Sequence, residues 1–297
     1  MSRIEVFDRN RPLLFSIAYR MLGSVMEAED VVQEAFLRWE GASEDEVRTP
    51  SAYLSTVVTR LCIDRLRSAR ARREQYVGPW LPEPLLEEQE IAGKADLDDS
   101  LSMAFLVLLE SLTPVERAVF LLREVFAYDY SEIATLVGKS EANCRQVARR
   151  ARQSVAARRP RFESSPEQEE RLMDSFLRAS LSGDMEALLA LLSEDVVLYS
   201  DGGGKTRAAL KPIYGSDKVA RFLSGILRTA PPDFAVRQTR VNARPGFVGY
   251  FGDGSPQSVV TIEVAEGSIT AIRLLVNPEK LANVPPLEQA ESGEGSG

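Results

Sequence analysis

SEIATLVGKSEANCRQVARRARQSV, residues 131–155, carries a short helical pattern, a glycine-containing turn at Gly138-Lys139-Ser140 and a longer basic helix that starts at Glu141. On the longer helix Cys144, Val147, Ala148, Ala151 and Val155 recur at helical spacing and point inward. The outward row is then Arg145, Gln146, Arg149, Arg150, Arg152 and Gln153. A short helix, a turn and a longer helix whose free face holds Arg and Gln with almost no acid form a helix-turn-helix suited to the major groove. There arginine pairs bidentately with guanine and glutamine with adenine. Arg145, Gln146 and Arg149 are expected at base edges, and Arg150 and Arg152 at phosphates.

Upstream, Leu101 to Leu112 is amphipathic, and Thr113-Pro114-Val115-Glu116 is a capping box with proline at the first helical position. Residues 101–160 therefore read as one all-α module. Residues 1–75 read as another. Leu14, Ile17, Ala18 and Met21 form an apolar stripe, Gly23 ends that helix, and Ser24 with Glu27 opens the next. Val25, Ala28, Val31, Val32, Ala35, Phe36 and Trp39 share its buried face, while Glu27, Asp30, Glu34 and Arg38 face away. A third helix starts at Thr49-Pro50 and runs into an arginine cluster.

The net charge is −8. The basic residues are nonetheless concentrated: Arg60, Arg65, Arg67, Arg70, Arg72 and Arg73 stand against Asp64 alone, and seven arginines between 145 and 161 stand against Glu141. Two arginine-rich helices in an acidic chain form an electrostatic footprint for phosphate backbones.

Residues 76–100 break the helical pattern and read as a linker, with Gly78, Pro79, Pro82 and Pro84 followed by an acidic run. The string Trp80-Leu81-Pro82-Glu83-Pro84-Leu85 is too apolar for a solvated tether, so part of it is expected to dock on a folded surface. Residues 166–281 change character. Helical patterns near 167–182, 184–193 and 216–229 combine with strand patterns at 196–200, 234–242, 246–252, 257–264 and 268–276, an α+β architecture with helices on one side of an antiparallel sheet. The Pro-, Glu-, Gly- and Ser-rich tail, 282–297, is expected to be disordered.

The first 160 or so positions resemble the extracytoplasmic-function sigma factors. Glu27-Ala28-Glu29-Asp30-Val31-Val32-Gln33-Glu34-Ala35-Phe36-Leu37-Arg38 is similar to the family's core-polymerase-binding helix. Ala52-Tyr53-Leu54 with Leu61-Cys62-Ile63-Asp64-Arg65-Leu66-Arg67 resembles the helix that reads the minus-ten promoter element. Tyr130-Ser131-Glu132-Ile133-Ala134 with Arg150-Ala151-Arg152 resembles the helix-turn-helix for the minus-thirty-five element. Many members carry asparagine where this chain has Arg60. Trp80-Leu81-Pro82-Glu83-Pro84, Asp201-Gly202-Gly203-Gly204-Lys205 and Asn277-Pro278-Glu279-Lys280-Leu281 resemble the subgroup with a fused, cone-shaped SnoaL-like domain of the nuclear-transport-factor-2 fold.

The resemblance implies two all-α domains followed by an α+β cone-shaped domain, core RNA polymerase and promoter DNA as partners, and a C-terminal domain that modulates activity. Glu27, Asp30, Glu34 and Arg38 would meet polymerase, and Arg60, Arg65, Arg67 and Arg70 would join the helix-turn-helix at DNA. Trp80, Leu81, Pro82, Asp201, Lys205, Asn277 and Pro278 would form an interdomain regulatory contact. The third domain leaves room for an unidentified small ligand.

Several classes are disfavoured. The chain has two cysteines and no histidine. A disulfide framework, a structural metal site and imidazole-dependent catalysis are therefore not expected, nor is any cofactor. No apolar run approaches the roughly 18 to 20 residues needed to span a bilayer, and the charged N-terminus does not read as a secretory signal. Cytoplasm is the expected compartment. Asp201-Gly202-Gly203-Gly204-Lys205 lacks the spacing and following helix of a phosphate-binding loop and reads as a structural turn. Isolated carboxylates such as Asp201 remain as acid/base candidates, with no catalytic role expected. The competing function is a one-component, ligand-responsive helix-turn-helix regulator, which has no use for the acidic helix and second arginine-rich helix of residues 1–75.

Overall fold

The computed structural model describes residues 2–43, 47, 49–73, 76–87, 99–157 and 164–288. It divides into two compact units, residues 1–75 with 90–159, and residues 76–89 with 160–297. Two expectations change here. The two helical modules form one unit, and the first part of the expected linker belongs to the other.

In the first unit, α1 (Arg3–Leu22) is opened by a capping box between Ser2 and Glu5 and closed by Gly23 at φ 68, a left-handed position that glycine adopts without side-chain strain. Ser24 caps α2 (Val25–Gly41), which buries Val25, Ala28, Val31, Val32, Ala35 and Trp39. Residues Leu54, Val58, Leu61 and Cys62 are the buried stripe of α3 (Pro50–Arg73). The second module comprises α4 (Met103–Leu109), α5 (Pro114–Glu124), α6 (Tyr130–Val137) and α7 (Glu141–Ala156). Gly138, at φ 66, ends α6 and Ser140 caps α7. Val119, Leu122, Ile133, Leu136, Cys144, Val147 and Ala148 form the core between them.

Polar side chains tie the modules together. Arg117 of α5, 3% exposed, lies 2.8 Å from Glu110 and donates to the Met21 carbonyl oxygen at 2.7 Å. Ser55 and Tyr128 share a hydrogen bond of 3.0 Å. Arg60 of α3 donates to the carbonyl oxygens of Leu136 and Thr135 at 3.1 and 3.0 Å. Those carbonyls end α6, where helical backbone acceptors lack partners.

In the second unit, α8 (Pro166–Ser182), α9 (Met185–Leu191) and α10 (Ser216–Leu227) accompany strands β1 (Leu192–Asp201), β2 (Ile213–Tyr214), β3 (Ala235–Val241), β4 (Arg244–Tyr250), β5 (Pro256–Ala265) and β6 (Ser268–Leu275), and α11 (Pro278–Leu281) follows. The sheet order is β2-β1-β6-β5-β4-β3. The sheet was expected to be antiparallel, but β1 and β6 are parallel, with Leu198 beside Ile272. Parallel neighbours need a long crossover, and here α10 and the antiparallel strands β3, β4 and β5 supply it. The β3–β4 and β5–β6 hairpins turn on two residues at positive φ, Asn242 and Ala243 at 52 and 65, and Glu266 and Gly267 at 51 and 79. That is the pattern whose twist suits paired strands. Met173, Phe176, Leu188, Val196, Leu198, Val219, Leu223 and Ile272 belong to the core between helices and sheet.

The chain continues past Leu281 in a packed form, which corrects the expectation of disorder for residues 282–288. Val284 is buried and the Leu287 N–H donates to the Gly254 carbonyl at 2.9 Å. The expected disordered tail beyond 288, and the acidic run 88–98, lie outside the described residues.

Candidate functional site

On α7 the expected outward row is exposed, including Arg145, Gln146, Arg149, Arg150 and Arg152. Their surroundings differ. Arg145 pairs with Glu141 at 2.7 Å, one turn earlier, and its guanidinium lies over the Tyr130 ring. Arg152 lies 2.8 Å from Glu124 and donates to the Tyr130 hydroxyl at 3.1 Å. Arg150 stands 3.9 Å from Glu116. Among the described residues Arg149 has no ion pair, so it, Gln146 and Gln153 are the members of the row with no acid to shed before meeting DNA.

The arginines of α3 diverge from the reading of a continuous phosphate ladder. Arg60 is spent on α6, as above. Arg65 turns toward α2: it donates to the Glu27 carbonyl at 3.2 Å and lies 3.6 Å from Asp30 and 3.8 Å from Glu34, with 28% of its side chain exposed. Periodicity places these residues at the margin of the buried stripe, where a long side chain reaches a neighbouring helix. Arg67 is exposed and paired with Asp64. The Arg70 side chain lies outside the described residues. On α2, Asp30 and Glu34 present carboxylates outward, and Glu34 also holds Arg38 at 2.7 Å.

Within the second unit the strings at 76–87, 201–205 and 277–281 converge on one carboxylate. Asp201, at the end of β1, is 0% exposed. Its Oδ1 accepts from the Tyr76 hydroxyl at 2.6 Å and from the Gly203 N–H at 3.0 Å. Its Oδ2 accepts from the Leu81 N–H at 2.8 Å and from Lys280 Nζ at 2.7 Å. Lys280 also donates to the Leu81 carbonyl, and its ammonium lies 4.4 Å from the Trp80 ring centroid and 4.9 Å from that of Tyr76. Asn277 donates from Nδ2 to the Tyr76 hydroxyl at 3.0 Å, and its Oδ1 caps α11, where Pro278 takes the first position. Pro82 is buried. Lys205 lies at the exposed edge, 3.1 Å from Glu279.

The glycines are explained by this crowding. A Cβ on Gly203 would sit 2.3 Å from Asn277 Nδ2, and Gly204, at φ 70, lies against Val77. Further along, Leu85 and Asn242 exchange hydrogen bonds, Leu86 bridges Val241, and the Glu87 N–H reaches the Arg240 carbonyl at 3.2 Å. Residues 76–87 thus form a strap that ends on the β3 edge. Sequence reasoning missed Tyr76, Lys280 and Asn242. Lys280 stood within a string already singled out, while Tyr76 and Asn242 gave no periodic signal. Among the described residues no group of three His, Cys, Asp or Glu side chains could hold a metal ion, and no helix is long and apolar enough to cross a membrane.

A helix-turn-helix with an open arginine- and glutamine-bearing face defines a DNA-reading protein of the transcription apparatus. Residues 6–72 match the family model for sigma-70 region 2, and residues 102–155 match that for sigma-70, region 4. The chain is 36% identical to the ECF RNA polymerase sigma factor SigJ of Mycobacterium tuberculosis, over 99% of this chain and 98% of that protein. It is 34% identical to the probable ECF RNA polymerase sigma factor SigI of the same species, over 96% of both chains. The crystal structure of SigJ superposes with a TM-score of 0.75 at 33% identity, covering 96% of this chain and 100% of that one. The chain belongs to the ECF RNA polymerase sigma factors, and it directs RNA polymerase to promoters for transcription initiation.

Tyr76 makes the strap sensitive to alkali. Burial, and then the hydrogen bond to the Asp201 carboxylate, push its phenol well above the ordinary value of 10.0. The folded state holds this proton more tightly than the unfolded chain, so its contribution is complete below that ordinary value and is lost as pH rises from there toward the raised value. Tyr76→Phe should cost about 1 to 3 kcal/mol at neutral pH. In urea unfolding followed from neutral to strongly alkaline pH, the gap between variant and parent should narrow as pH passes the tyrosine range. A constant gap excludes this coupling.

Proposed function

We propose that the second unit regulates promoter use by holding residues 76–87, the stretch between the two DNA-reading modules. The observation that supports this is the convergence of Tyr76, Leu81 and Lys280 on Asp201. Polymerase docks through the α2 face of Glu27, Asp30, Glu34 and Arg38, a charged rim suited to a basic partner. The work is done in the cytoplasm, where polymerase and promoters meet. No catalytic step belongs to the reading: Asp201, the isolated carboxylate that could have served as a base, has both oxygens occupied. A one-component regulator accounts less well for residues 6–72 and their match to sigma-70 region 2.

The first unit is in a closed form. Minus-ten and minus-thirty-five elements lie about 25 base pairs apart, roughly 85 Å of duplex at 3.4 Å per step. Arg60 on α3 touches the end of α6 at 3.0 Å, so the two modules must part before both elements are read. The strap sets how far the connecting chain can follow.

Three outcomes test these roles. Trp80→Ala, which weakens the strap while leaving Asp201 and Lys280 in place, should change run-off yield from a cognate promoter by about fivefold or more with core binding retained; equal yields would sink the regulatory role. Cysteines at Arg60→Cys and Thr135→Cys, both exposed positions that face each other across this contact, joined by a short bismaleimide, should lock the closed form and remove the run-off transcription that the uncross-linked variant retains, and undiminished run-off from the cross-linked protein refutes the need for opening. Cys62 and Cys144 are buried, which leaves the new thiols as the reactive pair. Finally, Arg149→Ala should cost about 1 to 3 kcal/mol at one base position of the upstream element, whereas Arg152→Ala should weaken all sequences evenly. Equal losses across a panel of altered elements contradict that division.

A further inference from the structure

The second unit encloses a cavity of about 800 Å³ between α8, α10 and the sheet, a size typical of sites for small organic molecules. Its walls include the rings of Phe176, Phe222, Phe234 and Phe247. Gly249 helps to shape it, because a Cβ there would sit 2.7 Å from the Phe234 ring and 2.6 Å from Ser258 Oγ. Glycine at this strand position lets the ring lie on the sheet and form a wall.

Two features show what chemistry the space suits. Ser180 and Ser200 line the cavity, they are 5% and 1% exposed, and among the described residues their buried hydroxyls have no hydrogen-bond partner. Buried hydroxyls are seldom left unmet in native proteins, and a rotation about the Cα–Cβ bond turns either one toward a ligand oxygen in the cavity. Among the described residues the lining contains the cations Lys205, Arg207 and Arg221 and no carboxylate. Lys205 and Arg221 are engaged by Glu279 and Asp217. Arg207 is exposed and has no ion pair among the described residues.

We propose that this cavity binds an amphipathic organic acid, with its hydrophobic body among the phenylalanines, its carboxylate at Arg207 and any oxygen along the body at Ser180 or Ser200. Apolar burial supplies the affinity and the arginine sets the polarity of entry. With no carboxylate or imidazole in the lining to act as base, the site holds its guest without converting it. The proposal is independent of the strap's regulatory role, because it is read by binding alone.

The test uses the full chain and the fluorescent fatty acid cis-parinarate as probe. The expected result is saturable one-to-one binding, with decanoate displacing the probe about fivefold more effectively than decanol, the advantage of one exposed ionic contact. Arg207→Gln should erase the difference between acid and alcohol while both still bind. Ser180→Trp with Ala230→Trp, which place two large rings in the space, should lower the affinity by about tenfold or more with the circular-dichroism melt retained; if that pair does not fold, Ala230→Trp alone at the rim serves as the block. Non-saturable binding, or binding undiminished in a folded blocking variant, overturns the site. Equal displacement by decanoate and decanol in the parent protein overturns the assignment of an acid.

Discussion

A carboxylate removed from water costs several kcal/mol unless charge and hydrogen bonds replace its hydration. Asp201 meets that demand with four donors, from Tyr76, Gly203, Leu81 and Lys280, drawn from three stretches of chain. Each donor fixes something else. Lys280 brings α11 onto the sheet and places its ammonium on the Trp80 and Tyr76 rings. Leu81 commits the strap backbone, and Gly203 commits the loop to a left-handed turn that leaves room for Asn277. Loss of the carboxylate would take a partner from a buried ammonium and from three other donors, so the strap, the loop and the terminal helix stand or fall together.

Much of this was legible in the sequence because helices advertise themselves. The stripe of Cys144, Val147, Ala148 and Ala151, the turn at Gly138 and the capping boxes each follow from local geometry. The apolar string at Trp80 was readable as needing cover, and Asp201 and the 277–281 string were readable as its partners. The contact of Tyr76 with Asp201 and Lys280 was not, since residues so far apart share no period. The parallel pairing of β1 with β6 escaped for a similar reason: alternation marks a strand but not its neighbour's direction. Asn242 and Ala243 form a tight turn without the glycine that usually signals one. The two-residue β2 is too short to show a pattern.

Arginine is the residue whose sequence reading needed most revision. A helical wheel separates inside from outside for one helix, yet a guanidinium on a long stem reaches beyond that division. Arg60 completes the end of α6, Arg65 joins α3 to α2, and Arg117 joins α5 to α1. In the closed form these positive charges are committed to partners within the chain. Arg145 and Arg152 are intermediate, because each must exchange a protein carboxylate for a phosphate. An acidic chain can thus present a basic reading face while most of its neighbouring arginines answer to its own acids.

The strap is made early and completed late. Leu81 and Lys280 are 199 positions apart in the chain, so at a synthesis rate of about 5 to 20 residues per second roughly 10 to 40 s pass between their appearance. The first helical module is translated before that interval and the helix-turn-helix module within it. A nascent chain therefore passes through a stage in which its helix-turn-helix is complete while Asp201 still lacks its lysine, and a product terminated before residue 280 stays there.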